Sequence, residues 1–161
     1  MLTTAQAWDI LARVPDPEIP AISVTELGIV REVQAAEEGV DVVVTPTYSG
    51  CPATEAIERS IREALSAAGA RDVRVRQQLS PAWSTDWIAE DARERLRAYG
   101  IAPPGERPVG GAQPLSFVPR VSCPRCGSAD TERLSQFGST ACKALYRCRA
   151  CREPFEYFKP L

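Results

Sequence analysis

Six cysteines and no histidine stand in a chain of 161 residues. Those two facts decide what chemistry its side chains can do. Without histidine there is no Ser-His-Asp or Cys-His catalysis, no two-His-one-carboxylate iron site and no zinc site with a His ligand. A transition metal must be held by thiolate or carboxylate. Five of the cysteines fall between residues 123 and 151. Cys123-Pro-Arg-Cys126 and Cys148-Arg-Ala-Cys151 form two C-x-x-C knuckles with 21 residues between them. Each knuckle turns two sulfurs toward one point, and the interval suffices for a hairpin that brings the pairs together. The plain reading is a zinc ion that folds the segment. The functional alternative is iron or an iron–sulfur cluster. Disulfides fit less well, because Asp9, Arg13, Asp16 and Glu18 stand where an export signal needs an apolar run. Cys142, outside the knuckles, has three readings: a buried hairpin residue, an extra metal ligand, or a thiol beside Lys143 that handles delivered metal.

Two further segments can bear chemistry. Asp16-Pro17-Glu18-Ile19-Pro20 sets two carboxylates in a loop stiffened by proline, suited to a turn or to metal contact. Thr45-Pro-Thr-Tyr-Ser-Gly-Cys51-Pro52 leads from an expected strand into an expected helix. The positive end of a helix dipole favours a thiolate there, which makes Cys51 a nucleophile or a soft-metal ligand; the plain alternative is a small capping residue.

The elements that must position these residues follow from periodicity. Thr3 and Gln6 read as a capping box before a helix with Ala7, Trp8, Leu11 and Ala12 on one face. Residues 29–35 read as a strand, Glu38-Gly39 as a turn, and Val40, Val42 and Val44 as the half-buried face of a partner strand. Pro52 suits the first position of a helix that buries Ile57, Ile61, Ala64, Leu65 and Ala68 and ends at Gly69. Val73 to Leu79 reads as a third strand, and Thr85 as the cap of a last helix carrying Ile88, Ala92, Leu96 and Tyr99. The order α-β-β-α-β-α predicts an α+β domain, a small mixed sheet with helices on one face, over residues 1–100. Residues 101–119 hold five prolines and three glycines and read as a linker. Residues 120–161 read as a four-cysteine, zinc-ribbon-like β module, too short to fold without a metal or crosslink.

Charge is divided unevenly. Residues 1–116 hold 11 Lys/Arg against 17 Asp/Glu, and residues 117–161 hold 8 against 4. A basic ribbon permits nucleic-acid binding, through Arg120, Arg125, Arg147, Arg149 and Arg152, with Phe155, Tyr157 and Phe158 for stacking, though at alternate and adjacent positions these three also suit a small ribbon core. The acidic whole, at a net charge of -2, makes that the minor reading. No apolar run approaches the roughly 18 residues of a membrane helix.

Asp16-Pro-Glu18, Glu26-Leu-Gly-Ile-Val30 and Thr45-Pro-Thr-Tyr-Ser-Gly-Cys51-Pro52 together resemble the metal–sulfur cluster biosynthetic family that includes SufT-like proteins. The resemblance covers roughly residues 4–80. It implies a small α/β domain tied to iron–sulfur protein maturation, with the family's functional loop and cysteine falling on Asp16, Glu18 and Cys51. Pro81-Ala-Trp-Ser-Thr-Asp-Trp-Ile88, the knuckle at Cys123, Phe137-Gly-Ser-Thr-Ala-Cys142-Lys-Ala-Leu-Tyr-Arg-Cys148 and Glu153-Pro-Phe-Glu-Tyr-Phe-Lys-Pro160 resemble the D-subunit family of phenylacetyl-CoA epoxidase (ring 1,2-epoxidase) systems. That resemblance implies a cytoplasmic, non-catalytic accessory protein of aerobic phenylacetate breakdown, whose partners are oxygenase and reductase subunits. It implies help with their metal centres, through a transient iron–sulfur cluster at Cys51, or an adaptor role without metal transfer. A homodimer that brings two Cys51 residues together is left open. The missing histidines agree that a Glu/His di-iron site must lie on another chain.

Overall fold

The computed structural model describes residues 1–37, 39–105 and 120–161. Its chain forms two compact units, Met1–Ala92 and Arg93–Leu161.

In the first unit, helix α1 spans Thr4–Leu11. The capping box forms as expected: Thr3 N donates to Gln6 Oε1 at 2.9 Å and Gln6 N to Thr3 Oγ1 at 3.2 Å, satisfying donors that a helix start leaves open. The helix buries Ala7 and Leu11, while Ala12 stands exposed as its C-cap. Strands β1 (Val30–Ala35) and β2 (Val40–Val44) pair antiparallel. Helix α2 (Ala53–Ala67) then crosses over to β3 (Val73–Gln77), which pairs parallel with β2. The sheet order β1-β2-β3 places β2 in the centre. Val43 is buried along with Val42 and Val44, so the strand is buried beyond the single face on which Val40, Val42 and Val44 alternate. α2 buries Ile57, Ile61 and Leu65.

Register brings three loops to one end of this sheet. Val30 faces Val44 and Val44 faces Gln77. Thr45 N donates to Ile29 O and Gln78 N to Val44 O, both at 2.8 Å. The start of β1 and the carboxyl ends of β2 and β3 thus share the end that carries the Thr45–Pro52 loop, the customary ligand end of parallel strands.

Two expectations fail locally. β3 stops at Gln77, and Leu79 is exposed. Thr85 caps no long helix: Ser84 caps a 3₁₀ turn at Thr85–Trp87, and α3 begins at Glu90 and runs to Tyr99. Ile88 is extended, and Ala89 N donates to Glu26 O at 2.9 Å. That tertiary bond interrupts the helical period.

The second unit is a four-stranded sheet in the order β4-β7-β6-β5. The strands are β4 (Ile101–Ala102), β5 (Thr131–Ser135), β6 (Lys143–Cys148) and β7 (Pro154–Phe158). β5 and β7 flank β6 antiparallel, and β4 joins β7 in parallel. Ile101 and Ala102 fall within the expected linker 101–119 yet are buried strand residues; residues 106–119 of that expectation lie outside the described residues. Tyr146 forms the centre of the core, stacked on Phe155 at 5.8 Å and edge-on to Tyr157 at 5.5 Å, with Ala102, Val121, Ala144, Cys123 and Cys148 around it.

Candidate functional site

The two knuckles meet. Cys123, Cys126, Cys148 and Cys151 place their sulfurs within 4.8 Å of one another. Cys123 Sγ lies 3.8 Å from Cys151 Sγ, and Cys126 Sγ lies 3.5 Å from Cys148 Sγ. A tetrahedron with metal–sulfur bonds of about 2.3 Å has sulfur–sulfur edges of about 3.8 Å. A disulfide needs about 2.05 Å, and no disulfide joins any of the six cysteines. The four residues fit a tetrahedral ion.

Local hydrogen bonding shapes the knuckles. In the first, Gly127 N donates to Cys123 O and Cys123 N to Ser128 O, both at 2.9 Å. In the second, Cys148 N donates to Glu153 O at 3.0 Å, and Cys151 N points at Cys148 Sγ at 3.5 Å. That backbone N–H, with the neighbouring sulfurs, draws the Cys148 thiol down to about 7. At Cys151 the Glu153 N–H also acts downward, but burial and the sulfurs of Cys148, Cys126 and Cys123 outweigh it, pushing the thiol up to about 12. The two thiols of this knuckle are thus pushed in opposite directions, and a cation bound among the four sulfurs would favour the thiolate form of both.

Cys142 stands apart. It precedes β6, whose far end carries Cys148, and six residues of strand span about 20 Å. Its Sγ lies 3.0 Å from Thr140 Oγ1, its O accepts from Lys159 N at 3.0 Å, and it is buried. It is no part of the four-sulfur group.

Cys51 is half-buried at the shared loop end of the first sheet. Pro52 takes the N-cap position and α2 starts at Ala53, one residue later than the sequence predicts, with no side-chain cap. Cys51 O accepts from Thr54 N at 3.1 Å, and Cys51 N donates to Tyr48 O at 3.2 Å. At the base of this loop Thr45 Oγ1 is buried with no hydrogen-bond partner among the described residues. Asp16 is buried, and its Oδ1 accepts from Glu18 N at 2.9 Å and Ile19 N at 2.8 Å. It closes the turn that its type predicts. Glu18 is exposed. Among the described residues these three do not combine into a group of three metal donors; the four ribbon cysteines do.

The stacking residues of the nucleic-acid reading are unavailable: Phe155, Tyr157 and Phe158 are buried. Arg147 and Arg149 both bond to Glu132, whose carboxyl they hold below its ordinary range.

Two features escaped the sequence reading. Ser23 and Glu26 bond reciprocally around a turn before β1, with Ser23 N donating to Glu26 Oε2 at 2.9 Å and Glu26 N to Ser23 Oγ at 3.3 Å; the Ser-x-x-Glu spacing, which elsewhere opens helices, signals the pair. Lys143 is buried against Glu156 at 2.9 Å, and no local pattern announces that.

Residues 4–76 match the family described as iron-sulfur cluster assembly protein, and residues 112–159 match the PaaD zinc beta ribbon domain. The chain is 54% identical, over 96% of its length and 91% of the relative's, to the Escherichia coli (strain K12) protein described as the D subunit of 1,2-phenylacetyl-CoA epoxidase. It is 34% identical to an Fe-S protein maturation auxiliary factor of Porphyromonas gingivalis (strain ATCC BAA-308 / W83), over 54% of this chain and 84% of that one. Among solved structures, a domain of unknown function from Bacillus anthracis superposes with a TM-score of 0.55 at 26% identity, covering 58% of this chain and 91% of that one. A conserved hypothetical protein from Thermotoga maritima gives 0.51 at 27% identity, covering 59% and 94%. The chain belongs to the D-subunit family of phenylacetyl-CoA epoxidases, with an iron–sulfur assembly module followed by a zinc ribbon.

Proposed function

We propose that this chain is a non-catalytic, cytoplasmic accessory factor that assists assembly of an iron–sulfur or iron centre in the multicomponent phenylacetyl-CoA epoxidase. The observation that carries the reading is the placement of Cys51. It sits, partly accessible, in the loop at the carboxyl end of β2, within the segment that matches the iron–sulfur assembly family. A half-exposed thiol with no closed ligand set of its own suits brief contact with iron or a cluster as cargo. Permanent retention would call for more donors. Asp16 acts by holding the adjacent proline-rich turn in shape, and Glu18 is the exposed carboxylate of that turn, placed to meet cargo or client. Cys123, Cys126, Cys148 and Cys151 hold a resident ion, most simply zinc, whose part is to fold the ribbon.

A second reading, an adaptor that binds the oxygenase or reductase without moving metal, is favoured by one observation: Cys51, Asp16 and Glu18 make no three-donor group within the described residues. Cys51→Ser separates the two. Serine preserves the backbone geometry, so the variant folds as wild type. The maturation reading expects cells carrying it to accumulate epoxidase subunits that are poor in iron and inactive. Full iron content and activity would leave the adaptor.

A further inference from the structure

Met1, Leu79, Tyr99, Leu134 and Phe137 are the large apolar side chains exposed among the described residues, and two of the five stand three residues apart on the ribbon. Leu134 is 49% exposed and Phe137 59%. Both exposures are held in place. β5 is an edge strand, and its pairing with β6 breaks register between Arg133 and Ser135, so Leu134 is the extra residue of a bulge. A bulge on an edge interrupts the row of donors and acceptors that another strand would need, and re-aims its side chain.

The loop beyond β5 is locked on several sides. Phe137 N donates to Ser135 Oγ at 3.2 Å, Gly138 N to Lys143 O at 2.7 Å and Ser139 N to Glu156 Oε1 at 2.6 Å. The Glu156 carboxylate that receives Ser139 also pairs with buried Lys143. Lys159 Nζ donates to Gln136 O at 3.0 Å and lies 4.5 Å from the centre of the Phe137 ring. An aromatic side chain fixed before its partner arrives loses little entropy on docking.

The charges around it set the partner's chemistry. Lys159 is held below its ordinary range by burial and by the nearby Arg133 cation. Neither Arg133 nor Lys159 has a carboxylate partner among the described residues. The second unit carries 12 Lys/Arg against 6 Asp/Glu.

We infer that Leu134 and Phe137, flanked by Arg133 and Lys159, form the ribbon's docking surface for a partner protein that offers an apolar pocket rimmed by carboxylates. The bulge excludes a partner that adds a strand. Polyanion binding would leave Leu134 in water. The inference rests on the proposed function for the partner's identity, a component of the epoxidase system.

The test uses the full-length, metal-loaded protein and the purified oxygenase and reductase subunits of the same organism as probes. Wild type binds at least one of them, more weakly as salt rises. Leu134→Ser with Phe137→Ser, both at exposed positions, leaves metal content and circular dichroism unchanged and weakens that binding at least about tenfold. Arg133→Glu weakens it too and flattens its salt dependence. The inference is overturned by unchanged affinity of the double variant, or by wild type binding none of the probes. It is equally overturned if the double substitution instead abolishes self-association or binding to a single-stranded oligonucleotide. Loss of docking with normally metallated epoxidase in cells would keep this surface and remove the maturation reading. Normal docking by the double variant alongside iron-poor epoxidase in the Cys51→Ser strain would do the reverse.

Discussion

Gly127 and Arg152 adopt the same left-handed backbone, at φ 77° and 65°, each immediately after the second cysteine of its knuckle. The position after each knuckle therefore takes the same left-handed turn. Glycine takes it freely, whereas a residue with a Cβ is strained by roughly 1 kcal/mol. Arg152→Gly is expected to stabilise the metal-bound ribbon by about 1 kcal/mol, and Gly127→Ala to destabilise it by a similar amount. Chemical denaturation followed by metal release measures both. An Arg152→Gly variant less stable than wild type would show that the arginine side chain makes up for its strain.

Cys126→Ser is expected to remove the ion and unfold the ribbon while the first unit remains folded. A module of this size has little core besides the one around Tyr146, and metal binding and folding are then one equilibrium. Limited proteolysis with metal analysis reads the result. A protease-resistant tail with full metal content would show that the four sulfurs are not the ligand set.

Glu156→Gln is expected to cost about 3 kcal/mol at neutral pH, because it leaves the buried Lys143 ammonium without its counter-charge. Burial tends to raise the Glu156 carboxyl, but the bonds from Lys143 and Ser139 outweigh it, and the net position is below the ordinary value of 4.5. A depressed carboxyl contributes stability that is present above its unfolded value and is lost as pH falls through the folded one. The gap between wild type and variant should therefore be full at neutral pH and close as the solution is acidified below about 4.5. A gap independent of pH would mean that the carboxylate charge is not what matters. Gly138→Ala should disturb the same pair, since a Cβ there would meet Glu156 Oε1 at 2.6 Å.

Thr45→Val is expected to stabilise the first unit by about 1 kcal/mol, because a buried hydroxyl without a partner among the described residues carries its desolvation cost and valine has nearly its shape. Thermal denaturation gives the sign. If the variant is more stable yet delivers less iron to the epoxidase in cells than wild type, the hydroxyl belongs to the working surface of the Cys51 loop.

The sequence alone determined what rests on local rules. The capping box at Thr3, the α-β-β-α-β-α order and the pairing of the two knuckles all follow from spacing within one turn, one strand or one motif. The absence of histidine settled the donor type before any fold was known. Three-dimensional packing decided the rest. Ile88 lies on a helical period, but Ala89 bonds to Glu26, far along the chain, and the helix starts later. Ile101 and Ala102 read as linker because glycine and proline surround them; pairing with β7 makes them strand. Phe155, Tyr157 and Phe158 look equally fit for stacking or for a core, and the return of β6 buries them. Lys143 stands in the sequence only as a cation beside Cys142, and β7 brings Glu156 to it. In each case the deciding partner lies on another element, so its free energy enters only when the two elements meet.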